Sequence, residues 1–343
     1  MKHSFRRAPL VVLIATTLCF TAPAVQAEAT TKLRIQNHQA KESTLGVLIA
    51  KFVEDVHTMS DGAIAIEMFY SSAVVKSAET FDAVQTSILD CDMTNGSYQT
   101  GKNPAFQFVA DTMGGYDTPV QFLSWVNFGG GREAINELYE PYGVTYIGAH
   151  VGGQESLNST KPLSGITDME NFKFRSPPGM ESEIFASLGA KPVVMDFTEV
   201  FTALETGIVD GADASTLAVN TSIGIYDIAK HTTYPGFHSM SADQLACRTE
   251  LWDELPEAHK RIIEVAHKSM MADYVMLTLV ENGEALTELP KKGVTTYDWS
   301  VEDRAAFRAA AQEAWGEWGS KTPEAKMMVS SHEAFLKRIG LTD

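Results

Sequence analysis

Three signatures of catalytic or metal-binding proteins are missing from the sequence. The nine histidines form no H-x-x-H or H-E-x-x-H pair, and His231/His238 and His259/His267 lie seven and eight residues apart. The nucleophile elbow G-x-S-x-G and the Walker P-loop are also absent. Gly129–Gly131 does not follow a clear strand, so we interpret it as a turn and not as a phosphate loop. The sequence therefore predicts no catalytic constellation, no metal and no cofactor.

Basic residues are scarce. Lys and Arg number 27 against 44 Asp and Glu, which gives a formal net charge of −17 at pH 7. This excess argues against nucleic acid, whose phosphates are met by basic surfaces, and against anionic lipid. Beyond the N-terminus no stretch approaches the roughly 20 apolar residues that span a bilayer, so we expect no stable membrane insertion.

The N-terminus has the pattern of a secretory signal at residues 1–27. Three basic residues lie within the first seven positions, Leu10–Phe20 is a short apolar core, and Val25–Ala27 is a small-x-Ala cleavage site. Cleavage removes those three basic residues and no acidic one, so the net charge falls from −17 to −20. We expect an exported protein that is located in the periplasm.

Cysteine is nearly absent from the predicted mature chain. Cys91 and Cys247 remain after cleavage, which excludes a disulfide-rich scaffold. The two can form one bridge. Because free cysteine is among the most buried residue types, we expect two buried thiols.

Short strands alternate with helices of about ten residues through the first two thirds of this chain. In Ala63–Phe69, for example, Ile64, Ile66 and Met68 share one face, as in a half-buried strand. The predicted strands are Leu33–Gln36, Ala63–Phe69, Cys91–Asn95, Val144–His150, Phe172–Arg175, Pro192–Met195 and Ile208–Asp213. The predicted helices are one capped by Ser43 or Thr44, then Ala78–Leu89, Gly179–Leu188, Thr198–Thr206, Pro256–Val280, Val301–Trp318 and Pro323–Ile339. This order predicts an α/β fold with largely parallel sheets covered on both faces.

The length of the chain predicts about two domains, and no linker separates them. Domains without a linker are typical of a chain that crosses between lobes more than once, which places a hinge and a cleft between them.

Polar residues follow three of the predicted strands. Arg175 and Asp213 each close a strand, and Gln154 comes shortly after another. Ligands of open α/β sheets bind outside the carboxyl ends of the strands, so these side chains should approach one another. Of the three, arginine can hold a carboxylate through two parallel hydrogen bonds. A salt bridge from Arg175 to a neighbouring carboxylate is the structural alternative.

Five segments resemble the extracytoplasmic solute receptors of TRAP (tripartite ATP-independent periplasmic) transporters. They are Lys173–Arg175, the A-L-x-x-G-x-x-D-G run within Phe197–Gly211, Ser97–Phe106, Gly129–Gly131 and Tyr234–Phe237. The resemblance covers essentially the whole mature length and is closest to the α-keto-acid and lactate branch. It implies a two-lobed periplasmic-binding-protein fold with a central cleft, hinge strands and a long helix linking the lobes.

The resemblance also implies roles for particular residues. Arg175 would hold the substrate carboxylate, and Tyr98 and Gln154 would line the pocket. At the position of Phe197 the keto-acid branch has a smaller side chain. The phenylalanine resembles the aromatic wall of the sialic-acid and dicarboxylate receptors. In the keto-acid branch a Glu-Trp pair and a further Glu help to bind a bridging cation. Here Asp213-Ala214 stands in place of the pair, and His238-Ser239 stands near the position of the further Glu, so Asp213 and His238 would also belong to the site. Because a carboxylate is lost, we expect no required cation.

The implied function is non-enzymatic capture of a small organic acid, such as a 2-oxo or 2-hydroxy monocarboxylate, by hinge closure and its delivery to TRAP permease subunits. Asp213 beside Arg175 would also suit a small amine or a zwitterion such as an amino alcohol. A ligand-sensing module and a secreted enzyme are rival hypotheses.

The resemblance also suggests how the chain is divided. Lobe I is predicted to hold residues 28–152 and 240–281, and lobe II residues 153–239 and 282–343. We expect the protein to be a monomer or a homodimer.

Overall fold

The computed structural model describes residues 30–342 together with Met1. The predicted signal peptide thus lies outside the described residues except for Met1. The strands are β1 Thr31–Asn37, β2 Ile64–Phe69, β3 Cys91–Met93, β4 Val144–His150, β5 Ser156–Ser159, β6 Lys173–Ser176, β7 Lys191–Val194, β8 Gly211–Ser215, β9 His231–Thr233, β10 Asp243–Arg248 and β11 Thr295–Tyr297. The helices are α1 Thr44–Met59, α2 Thr80–Gln85, α3 Gln107–Ala110, α4 Pro119–Phe128, α5 Gly131–Tyr139, α6 Met180–Ser187, α7 Val200–Glu205, α8 Leu217–Ser222, α9 Ile225–Ile228, α10 Thr249–Glu254, α11 Glu257–Glu288, α12 Val301–Gly319 and α13 Pro323–Arg338.

The strands form two sheets, ordered β2-β1-β3-β10-β4 and β11-β9-β5-β8-β6-β7. The expectation of largely parallel sheets was too strong, because each sheet is mixed. In the first, β10 runs antiparallel to both β3 and β4. In the second, β5 runs antiparallel to both β8 and β9. These two strands enter from the other sheet, and this explains why they run against their neighbours.

The chain passes between the sheets through two adjacent segments. Residues 151–155 lead from β4 to β5, and residues 234–242 lead from β9 to β10. The amide of Glu155 donates to the carbonyl oxygen of Ser239 at 2.9 Å, so the two segments are joined by a backbone hydrogen bond. The predicted repeated crossing is therefore confirmed.

The helix α11 is a further connection. It packs against α1 and β4 and also against α8, which follows β8 of the second sheet. The prediction ended this helix at Val280, whereas the helix continues to Glu288. The buried Asn282 accepts a hydrogen bond from the Ala218 amide at 2.8 Å, which ties the continued helix to α8. In the described part of the chain, no helix has the length and apolarity needed to cross a bilayer.

Local signals explain other element boundaries. Of the two predicted caps, Ser43 and Thr44, it is Ser43 that caps α1, with its Oγ accepting from the Gly46 amide at 3.1 Å. The triple glycine is the predicted turn: Gly129 ends α4, and Gly130 has φ of 90°, a left-handed conformation that favours glycine, before α5 begins.

Cys91 and Cys247 form a disulfide, so the expectation of two buried thiols was wrong. Cys91 on β3 lies directly opposite Cys247 on β10, with Cα atoms 4.0 Å apart. The pairing depends on the insertion of β10 between β3 and β4. No strand was predicted at β10, and 156 positions separate the two residues.

Candidate ligand-binding site

A small cavity of about 40 Å³ lies at the carboxyl ends of strands from both sheets. Four of the six predicted site residues line it, namely Tyr98, Arg175, Phe197 and Asp213. Its position agrees with the rule that placed Arg175 and Asp213 together.

Arg175 supplies a free donor to this cavity. Only 2% of its surface is exposed. Its Nε donates to the Met195 carbonyl at 3.1 Å, and its Nη1 donates to the Asp213 carbonyl at 2.7 Å. Both hydrogen bonds go to backbone oxygens and not to a carboxylate, whereas Nη2 is buried without a partner among the described residues. The guanidinium is thus held in place with one nitrogen left for a ligand.

Asp213 is already engaged within the protein. His238 Nε2 lies 2.8 Å from Asp213 Oδ1, and both side chains are buried. Burial raises the pKa of Asp213, but the hydrogen bond and charge of His238, the charge of Arg175 and a hydrogen bond donated by Glu181 outweigh it and lower that pKa. Asp213 is therefore an ionised group that also orients Arg175 through its main chain. His238 is not among the residues that line the cavity.

Glu155, and not its neighbour Gln154, faces the cavity. Gln154 Nε2 donates to the Tyr116 carbonyl at 2.8 Å, and its side chain lines a separate groove with Arg304. Successive side chains of an extended segment point to opposite sides, so Gln154 and Glu155 cannot both point into the cavity. Gln154 is therefore not one of the side chains that the structure gathers around Arg175.

Glu155 carries a proton in this arrangement. Burial and the nearby charge of Asp213 raise the pKa of Glu155 well above its usual value. Ser239 Oγ contacts both Glu155 Oε2 and Asp111 Oδ2, yet a hydroxyl has one hydrogen to donate. One of the two carboxyl groups must therefore be the donor. The backbone amides of Met113 and Met240 both donate to Asp111 and hold it as an acceptor, which leaves Glu155 as the donor.

An aromatic and histidine wall closes the other side. His38 Nε2 lies 2.9 Å from Asp243 Oδ2, and its Nδ1 lies 3.0 Å from the Tyr98 hydroxyl. The Phe197 ring stacks on His38 with centroids 5.0 Å apart. Burial lowers the pKa of His38, but the charge and hydrogen bond of Asp243 outweigh it and raise that pKa. His38 follows β1 directly, so the strand-end rule would have found it.

Glu155, Asp213 and His238 form a potential cation-binding group. One ligand atom from each lies within 4.8 Å of the others, and all three residues are buried. The sequence prediction of no cation rested on a lost carboxylate, and Glu155 supplies one. Contacts within the protein already occupy two of these groups, because His238 Nε2 is bonded to Asp213 Oδ1 and Glu155 Oε2 is bonded to Ser239 Oγ. A hard cation that prefers oxygen ligands would have to displace these contacts.

Residues 36–322 match the family model of the bacterial extracellular solute-binding proteins, family 7 (DctP). A monocarboxylate 2-oxoacid-binding periplasmic protein of Nostoc sp. is 27% identical over 288 residues, which cover 83% of this chain and 78% of that protein.

Solved structures show the same similarity. A TRAP periplasmic solute-binding protein of Rhodobacter sphaeroides, in an apo open structure, is 33% identical and covers 90% of this chain and 99% of its own, with a TM-score of 0.72. A second TRAP periplasmic solute-binding protein, from Pseudoalteromonas atlantica with bound sodium and pyruvate, is 24% identical. The match covers 90% of this chain and 95% of that protein, with a TM-score of 0.80.

The two sheets, the paired crossovers and the cavity between them define a two-lobed solute-binding protein. The chain belongs to family 7 of the bacterial extracellular solute-binding proteins, the receptors of TRAP transporters. The predicted fold class and the predicted family are both confirmed.

Proposed function

We propose that this protein is a periplasmic TRAP receptor that captures a small 2-oxo or 2-hydroxy monocarboxylate at Arg175 and delivers it to membrane permease subunits, without chemical conversion. The unpartnered, buried Nη2 of Arg175 carries this proposal. A buried donor without a partner costs about 1–3 kcal/mol, and a ligand carboxylate removes that cost. The name of the Nostoc relative, a 2-oxoacid-binding protein, supports the same class of solute.

Capture proceeds by closure of lobe I (28–152 and 240–281) on lobe II (153–239 and 282–343). Contacts between these segments support a closed arrangement: Phe197 stacks on His38 at the cavity, and Ser77 Oγ donates to Asp196 Oδ1 at 2.8 Å. The chain also superposes better on the pyruvate-bound relative than on the open one, although its sequence is closer to the open one. A solute that contacts both lobes only when they are closed shifts the equilibrium toward closure.

A thermal-shift screen over small carboxylic acids, amines and zwitterions tests the proposal. Binding at 100 times the dissociation constant stabilises the folded state by about 2.7 kcal/mol, so a true solute gives a clear rise in melting temperature. We expect the rise with short 2-oxo or 2-hydroxy acids. Stabilisation by amines alone, or turnover of any acid, would contradict the proposed solute class or the receptor role.

Asp213→Asn should change the affinity for a monocarboxylate by less than about threefold, since the Asn Oδ1 can still accept from His238 and the lost negative charge opposed the anion. For an amine or zwitterion the same change removes the ammonium partner and costs about 2–5 kcal/mol. Calorimetric titration of both proteins with the best acid of the screen measures the difference. A large loss would favour the amine alternative.

Removal of cations should leave the affinity for the acid within about tenfold, which is about 1.4 kcal/mol. The reason is that the raised pKa of Glu155 keeps this carboxyl group protonated, and His238 already occupies Asp213 Oδ1. Titrations after exhaustive chelation, in sodium-free buffer, measure the effect. Glu155→Gln is the matched variant: if a cation bridges protein and solute, chelation and this substitution should each weaken binding by orders of magnitude.

A further inference from the structure

A second polar atom at the cavity lacks a partner. His150 ends β4, is 1% exposed and lines the same cavity as Arg175. Its Nδ1 lies 3.1 Å from Nε2 of His267, a residue that does not line the cavity. Its Nε2 is buried without a hydrogen-bond partner among the described residues. One ring nitrogen is therefore fixed from behind, and the other is available to a solute.

The two histidines share one proton between their rings. Burial lowers the pKa of His150 to about 4, and burial also lowers the pKa of His267 well below its usual value. Both rings are therefore neutral near pH 7, and each has one donor and one acceptor nitrogen. If His267 donates to His150, then Nε2 of His150 carries a hydrogen; in the reverse arrangement it is an acceptor.

Surrounding charges select the first arrangement. Arg132 and the Nδ1 atom of His267 both lie next to Gly148. The position that a Cβ of Gly148 would take is 3.1 Å from His267 Nδ1 and 3.7 Å from Arg132 Nη2, so the guanidinium of Arg132 is near the Nδ1 side of the His267 ring. The positive charges of Arg132 and Lys268 both lower the pKa of His267, and the charge of Arg132 near Nδ1 favours a lone pair on that atom. The proton then lies on Nε2 of His267 and is donated to His150.

The charge on the other side acts in the same direction. Asp243 is the cross-strand partner of His150, and its side chain lines the cavity. Its negative charge favours an N–H on the cavity side of the His150 ring. His38 opposes this effect in part, but it is paired with Asp243 at 2.9 Å.

We propose that His150 is a specificity-determining residue that donates its Nε2–H to a keto or hydroxyl oxygen of the solute, while Arg175 holds the carboxylate. His267 is a positioning residue that fixes the tautomer of His150. This inference rests on the proposed function and narrows it: the site selects acids that carry a second oxygen acceptor. An unsubstituted acid leaves the donor unpaired, and an ammonium group at that place meets another donor.

Matched acid pairs test the assignment. Pyruvate with propionate, and 2-oxobutyrate with butyrate, differ in the keto oxygen at equal chain length. Calorimetric titration of the wild type should show at least tenfold tighter binding of the 2-oxo acid in the pair that binds. His150→Phe should remove most of this preference and leave the affinity for the unsubstituted acid within about threefold, whereas His150→Gln, which keeps a donor, should restore part of it.

A matched control is His332→Phe. His332 is equally buried but lies on α13 outside the cavity, where its nitrogens contact the Tyr116 hydroxyl and the Phe108 carbonyl. This variant should lower stability without changing the ratio between the paired acids. Nitrogen-15 NMR of the wild type provides an independent readout, and it should show a protonated Nε2 and an unprotonated Nδ1 for His150.

The two proposals fail in different ways. Equal binding of the paired acids by the wild type, an unchanged ratio in His150→Phe, or an unprotonated Nε2 overturns the role of His150 and leaves the receptor for acids intact. If the wild type binds no acid at all, the proposed function itself fails.

Discussion

Arg175→Lys should weaken binding of the organic acid at least tenfold, and Arg175→Ala should weaken it by about 2–5 kcal/mol. Lysine keeps the charge but loses the planar fork of donors, so the exchange is not conservative here. In the wild type, Nε and Nη1 hold the carbonyl oxygens of Met195 and Asp213 while Nη2 is left for the solute. A single ammonium nitrogen cannot serve the same three positions.

Titration calorimetry with the best acid of the screen measures both losses, and circular dichroism checks that the variants are folded. Arg34→Lys is the matched control, because Arg34 lies on a strand of the first sheet and forms its ion pair with Asp90 away from the cavity. It should leave the affinity unchanged. If Arg175→Ala retains normal binding in its folded fraction, Arg175 is a structural residue and the proposed site is wrong.

The sequence was sufficient to predict elements whose signals are local. The N-cap of α1 and the alternation in β2 depend on neighbouring residues, and both agree with the structure. Arg175 could be found in the same way, because it precedes a turn at the end of a strand and because strand ends meet at one edge of a sheet.

Features that depend on distant pairing could not be predicted. β10 is a short strand whose neighbours lie about 100 and 150 residues earlier in the chain, so nothing close to it in the sequence indicates its place. Without β10, neither the position of Asp243 beside His38 nor its place opposite His150 could be anticipated.

The choice between Gln154 and Glu155 shows a limit of another kind. The sequence correctly predicted that the segment with Gln154 lies near the site. Which of the two side chains faces the cavity, however, depends on the orientation of a single peptide unit. The hydrogen bond from the Glu155 amide to Ser239 fixes that unit, and Ser239 belongs to the other crossover. A buried, protonated glutamic acid also has no signature in the sequence, because it is the surroundings that shift its pKa.

The Cys91–Cys247 disulfide should be the largest single covalent contribution to stability. In the chain-entropy account, a closed loop of this length stabilises the folded state by about 5 kcal/mol, and loss of a native disulfide typically costs about 2–5 kcal/mol. Because both residues are buried in the first sheet, the double variant Cys91→Ala/Cys247→Ala avoids placing a new polar group in the core. We expect its free energy of unfolding to fall by about 2–5 kcal/mol.

Urea unfolding with and without dithiothreitol measures this effect. Reductant should shift the wild-type midpoint to lower urea and leave the double variant unchanged, so the variant is also the control for side effects of the reductant. Affinity for the acid at 25 °C should stay within about threefold, because neither cysteine lines the cavity. Alkylation in denaturant without reductant should label no cysteine of the mature wild type. Two labelled thiols, together with a midpoint that is insensitive to reductant, would contradict the disulfide and support the earlier expectation that Cys91 and Cys247 are buried free thiols.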